Sequence, residues 1–162
     1  MILYHGTNKE IQKANVSFSK NYLDFGKGFY LTTYKEQVEK WALRKVLRGG
    51  GDPIVHIYEL DDERLKGYKC LRFKEDNKQW LEFVCDCRKG SLEYMQYDVI
   101  IGSVADDDVF KTVEMYFKGI WDMERALKEL RYYKLNDQIC IVNQEVVDEC
   151  LKKLEAYKVV KS

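Results

Sequence analysis

The chain has 162 residues, 46% of them hydrophobic and 14% aromatic, which is long and apolar enough to bury a core and excludes a disordered polymer. Its formal net charge is +0, which removes any whole-molecule electrostatic argument for nucleic-acid or membrane binding. With one proline and no Ser- or Gly-rich linker there is no natural boundary, so residues 1–162 read as a single domain. Charge is mildly uneven: residues 1–90 hold 17 Lys+Arg against 13 Asp+Glu, and residues 91–162 hold 10 against 14. An anionic ligand is therefore expected to meet the N-terminal part, although a solvated surface without a partner accounts for the asymmetry equally well.

Residues 2–5 read as a short apolar strand and residues 28–32 as another, with Gly26 and Gly28 loosening its entry. Thr33-Tyr34-Lys35-Glu36 has the form of a capping box and predicts a helix over 35–48, with Val38, Trp41 and Ala42 on its inner side and Gly49-Gly50-Gly51 as its stop. Residues 54–60 alternate as a strand, and a short strand follows near 70–73. Asp76-Asn77-Lys78-Gln79 is a second capping box, after which Trp80, Phe83, Val84 and Cys87 keep helical spacing. Residues 97–102 form an apolar strand ending in glycine.

Val109, Val113, Tyr116 and Phe117 mark the next helix, and Asp122 caps another with Met123, Ala126, Leu127 and Leu130 inward. Residues 138–142 alternate as a strand. Asn143 then caps a helix carrying Val147, Cys150, Leu151 and Leu154 on one face, and a last strand is expected at 156–160. Strands and helices are interspersed without regular βα alternation, so the class is α+β.

Several chemical motifs fail on their own terms. Gly49-Gly50-Gly51-Asp52 lacks the Lys-Ser/Thr of a phosphate loop and ends a helix instead of opening one. Cys85-x-Cys87 with only His5 and His56 in the chain does not make a structural zinc site, and Asp106-Asp107-Asp108 reads as the solvated start of a helix, so no metal is expected. Five cysteines (70, 85, 87, 140 and 150) fit free thiols in a reducing compartment. The start of the chain lacks a basic, apolar secretory signal and no apolar run reaches membrane-spanning length, so a cytoplasmic location off the membrane is expected.

One constellation survives. Tyr4-His5-Gly6-Thr7 presents a polar imidazole beside a glycine at the end of the first strand, and Asp24-Phe25-Gly26-Lys27-Gly28-Phe29-Tyr30-Leu31-Thr32 presents a phenol behind two glycines. Singly, His5 reads as a strand-end histidine and Tyr30 as a core aromatic. In this order, with Ser17-Phe18-Ser19 between them and Trp41-Ala42 in the following helix, the segment resembles the ADP-ribosyltransferase superfamily of the diphtheria-toxin and poly(ADP-ribose) polymerase type. More narrowly it resembles a small uncharacterised bacterial family with a DFGKGFYLT-like segment. The resemblance continues through residues 80–88, 97–107 and 138–142.

That resemblance implies a split β-sheet core with surrounding helices, and NAD as substrate. His5 would bind the adenosine-side ribose, Gly6 the nicotinamide carboxamide through its backbone, and Thr7 would support either. Tyr30 would stack on the nicotinamide ring, Phe25 or Tyr22 would close the ring's other side, and Gly28 would complete the binding set. Departure of nicotinamide leaves an oxocarbenium-like ribose, so the site must hold a flat leaving group and steady positive charge. Active transferases place a glutamate at the start of a late strand for that purpose, and the matching residue here is Gln138, a hydrogen-bonding side chain without charge. Loss of one such electrostatic partner costs about 10²–10³ in rate.

The catalytic set implied is thus His5, Tyr30 and Gln138, acting on NAD with an unknown protein, nucleic-acid or small-molecule acceptor. A toxin or defence role would add an antitoxin or immunity partner. Alternatives are NAD cleavage without transfer, a catalytically silent nucleotide-binding or interaction module, and an RNA 2′-phosphotransferase-like enzyme, which would gather several Arg or Lys around a phosphate where only Lys20, Lys27 and Arg44/Arg48 are near in sequence.

Overall fold

In chain order, a computed structural model gives β1 (Ile2–Thr7), β2 (Phe29–Leu31), α1 (Lys35–Gly49), β3 (Ile54–Leu60), α2 (Asp62–Leu65), β4 (Cys70–Arg72) and α3 (Lys78–Arg88). There follow β5 (Val99–Gly102), α4 (Asp107–Phe117), α5 (Met123–Leu130), β6 (Gln138–Ile141), α6 (Gln144–Cys150) and β7 (Leu151–Lys158). The structure describes residues 1–19, 23–75, 77–105, 107–130 and 136–160; Tyr22, Lys20, Asp76 and Asp106 lie outside the described residues. The α+β expectation holds, with two sheets and six α-helices among the described residues.

The first sheet has the order β1-β3-β7, antiparallel throughout, and the second β2-β6-β5-β4, in which only the β4–β5 pair is parallel. An isolated antiparallel bridge joins the sheets: Tyr4 and Thr32 exchange main-chain hydrogen bonds of 2.9 and 3.0 Å. Between the sheets lies one apolar layer, with Leu3, Tyr58 and Leu60 from the first and Phe29, Leu31, Val99, Ile139 and Ile141 from the second. On its far side the first sheet carries α1 through Val38, Ala42 and Val55. On the far side of the second, α3, α4 and α5 pack Trp80, Val84, Val109, Val113 and Ala126 against Ile100 and Cys140. Period-two alternation in β2 and β6 sends neighbours to these two different layers.

Four local expectations are corrected. Thr33 does not cap α1, whose N-cap, Tyr34, makes no side-chain capping bond; the Thr33 hydroxyl and N–H both donate to Asp137 instead. The cap of α3 is Asn77, whose side chain accepts from the Trp80 N–H. Phe117 is exposed on α4 with the Lys89 ammonium over its ring. The last helix stops at Cys150, and Leu151 and Leu154 belong to β7, which pairs along the whole of β3. All five cysteines are unpaired, four of them buried. No helix among the described residues is long and apolar enough to cross a membrane.

Candidate functional site

The end of β1 and the start of β2 meet at the junction of the two sheets, and there the motif residues come together. His5 Nδ1 lies 2.6 Å from the Tyr30 carbonyl oxygen. A carbonyl only accepts, so Nδ1 carries the proton and Nε2 keeps its lone pair. The ring stacks on Phe29 at 4.2 Å between centroids. Burial, and next the Lys45 ammonium, hold the imidazole neutral by lowering its pKa to about 3, against the opposing pull of the Tyr30 hydrogen bond. At neutral pH His5 is therefore an acceptor at Nε2.

Gly6 is a glycine because α1 crosses it closely: a Cβ there would lie 2.6 Å from the Val38 carbonyl oxygen. Its own carbonyl accepts from Lys45 Nζ at 2.8 Å, so one of the two backbone groups expected to reach a carboxamide already holds an ammonium. Thr7 is buried, and its hydroxyl oxygen accepts from the Lys9 N–H at 3.3 Å, a local turn contact.

Tyr30 faces Cys140 across β2 and β6, on the same side of the sheet as Gln138. Its hydroxyl donates to the Gly26 carbonyl at 2.5 Å and accepts from the Phe25 N–H at 3.0 Å, so the phenol clasps the glycine loop that precedes it. Burial first, then neighbouring Cys140, raises its pKa well above the ordinary phenol value. Gly28 fits the same closure: a Cβ there would collide with Cys140 Sγ, and its N–H donates to Ser19 Oγ at 3.0 Å. Phe25 does not face a cleft. It is fully buried and packs against Phe73 and Phe83, because the tight loop turns its side chain into the core.

Gln138 is 4% exposed at the start of β6, and its amide nitrogen donates to Asp24 Oδ2 at 3.0 Å and to the Ser103 carbonyl at 3.1 Å. Asp24 also accepts from the Ala105 N–H at 2.9 Å and from Arg88 Nε at 2.9 Å. Asp24, Arg88, Ser103 and Ala105 were not among the expected site residues. The available signal was an aspartate opening a glycine loop, Asp24-Phe25-Gly26. Of the two carboxylates near Gln138 in sequence, Asp137 is committed to Thr32 and Thr33, and Glu145 lies on α6 beside Tyr68.

A protein-family comparison matches residues 1–153 to DUF3990, a family described as proteins of unknown function. The chain belongs to the DUF3990 family. No curated protein and no solved structure matches the chain. In this DUF3990 protein His5 meets the Tyr30 main chain and the Phe29 ring at the sheet junction, the Tyr30 phenol and Gln138 share the opposite face of the second sheet, and Thr7 and Phe25 are drawn into packing.

Proposed function

We propose that this protein binds NAD at the junction of its two sheets, and acts as a mono-ADP-ribosyltransferase-like enzyme or an NAD glycohydrolase. The observation that carries the reading is the 2.6 Å contact between His5 Nδ1 and the Tyr30 carbonyl. It fixes the imidazole as a neutral ring with an acceptor at Nε2, suited to a ribose hydroxyl, on the Phe29 face of β2, while the Tyr30 phenol, suited to a flat leaving group, lies on the opposite face with Cys140. The two sheets bridged through Tyr4 and Thr32 are compatible with the split-sheet core that the motif resemblance implies.

On this reading, NAD enters by taking the Gly6 carbonyl from Lys45 and by loosening the loop that the Tyr30 hydroxyl clasps. Binding therefore draws on a closed state and carries the free-energy cost of opening it. A second reading, a nucleotide-binding or interaction module without turnover, is favoured by the same contacts, because Gln138 supplies no charge and its amide nitrogen is committed to Asp24 and Ser103.

The test is incubation with labelled NAD, following released nicotinamide and labelled macromolecules, together with calorimetric titration of NAD. His5→Ala and Tyr30→Ala should each weaken NAD binding by roughly tenfold or more, the equivalent of about one lost hydrogen bond or stacking contact. Binding without nicotinamide release selects the silent module. If NAD does not bind and both variants behave as wild type, both NAD readings are wrong.

A further inference from the structure

The buried carboxylate of Asp24 has no part in the reading above, yet it is the most heavily bonded side chain near Gln138. Oδ1 accepts from Arg88 Nε at 2.9 Å and Arg88 Nη2 at 2.5 Å, and Oδ2 accepts from the Ala105 N–H at 2.9 Å and Gln138 Nε2 at 3.0 Å. Four donors from α3, β6 and the loop after β5 thus converge on one residue of the glycine loop. The ion pair is largely withdrawn from water, with side-chain exposures of 21% for Arg88 and 7% for Asp24.

This arrangement decides which end of the Gln138 amide points where. The terminal atom that meets Asp24 also meets the Ser103 carbonyl at 3.1 Å, and both neighbours are acceptors. Turning the amide over would set its oxygen against two other oxygens in a buried place, so the nitrogen must lie there. Both amide protons are then spent, and Oε1 is directed away from them.

We propose that Asp24, held by Arg88, is a positioning residue that fixes the polarity of the Gln138 amide, so that position 138 requires a donor toward Asp24 and turns a neutral carbonyl oxygen, not a carboxylate, to its other side. Resting on the NAD reading, that oxygen is an acceptor for a ribose hydroxyl. A glutamate at position 138 is disfavoured by the aspartate in the glycine loop: two carboxylates would stand about 3 Å apart, with the Arg88 guanidinium already bonded to the other oxygen of Asp24.

The test has three arms. In the wild-type protein, the Gln138 side-chain amide protons, followed by nitrogen-15 NMR, should be shifted from free-amide positions and protected from exchange, and the shift should collapse in Asp24→Asn. Fast exchange at free-amide positions would overturn the proposal without any variant having to fold. In thermal unfolding, Gln138→Glu should melt roughly 5–10 °C below wild type. The double variant D24N/Q138E should recover at least half of that loss, because the asparagine amide it introduces can donate to the new carboxylate. Equal melting of Gln138→Glu and wild type, or a double variant that recovers less than half of the loss, overturns the lock. Finally, nicotinamide release by Gln138→Glu below its melting range should not exceed that of wild type, and a tenfold gain would contradict the proposal. Failure of the wild type to bind NAD overturns the ribose assignment alone, and melting and NMR still decide the lock.

Discussion

His5 and His56 face each other across β1 and β3, and burial is the first cause that lowers the pKa of each. His56 Nε2 accepts from the Ile11 N–H at 3.3 Å, so its proton sits on Nδ1. Burial therefore favours the neutral form of both rings in the folded state. In the unfolded chain a histidine takes its proton near pH 6.5, whereas folded His5 takes it only at about 3. Between those values the unfolded state binds more protons. Stability contributed by His5 is therefore fully present above pH 6.5 and is lost as pH falls toward 3, by up to about 1.4 kcal/mol per pH unit. Urea midpoints at pH 7.5 and 4.5 should show this loss, and His5→Asn should flatten it. An equal acid loss in the variant would show that His5 is not the group that titrates.

At the scale of elements, the apolar periodicities were legible where side chains face a common core. Trp80, Phe83, Val84 and Cys87 of α3, and Ala126 and Leu130 of α5, are buried as their spacing predicts. Caps and boundaries were less so, because they depend on partners far along the chain. Thr33 has the local form of a cap, but Asp137 offers a charged acceptor to its hydroxyl and N–H, and to the Thr32 hydroxyl at 2.6 Å. A carboxylate outcompetes a neutral capping bond. Asp137→Ala should therefore cost about 2 kcal/mol in denaturant unfolding and raise amide exchange in the first turn of α1, with Asp137→Asn intermediate. A neutral effect would return α1 to local capping. In β7, Leu151 and Leu154 have helical spacing, but pairing with β3 from Leu60 to Ile54 fixes them as an edge strand carrying Lys152, Lys153 and Lys158.

At the scale of the whole molecule, both sheets, the glycine loop and α1 all contribute at the junction. A ligand that binds there ties these parts together and should stabilise the entire fold. With free NAD at a hundred times its Kd, stability should rise by about 2.7 kcal/mol, which moves Tm by roughly 5–10 °C in a domain of this size. At the same NAD concentration the shift should fall to about half or less in His5→Ala, as a roughly tenfold weaker Kd requires. An unmoved Tm at millimolar NAD would count against the junction as the nucleotide site.

The order of polar and glycine residues in the first part of the chain singled out the two segments that meet, His5 lying against the Tyr30 main chain, and strand alternation sends the Tyr30 phenol to the face opposite Phe29. What the side chains do after meeting was decided only by tertiary structure. Asp24 finds Arg88 64 residues on and Gln138 114 residues on, and Lys45 reaches back 39 residues to Gly6. Local sequence pattern reports which face a residue shows. A buried hydrogen-bond network depends on which donor and acceptor arrive at the same point, and that is set by the packing of whole elements.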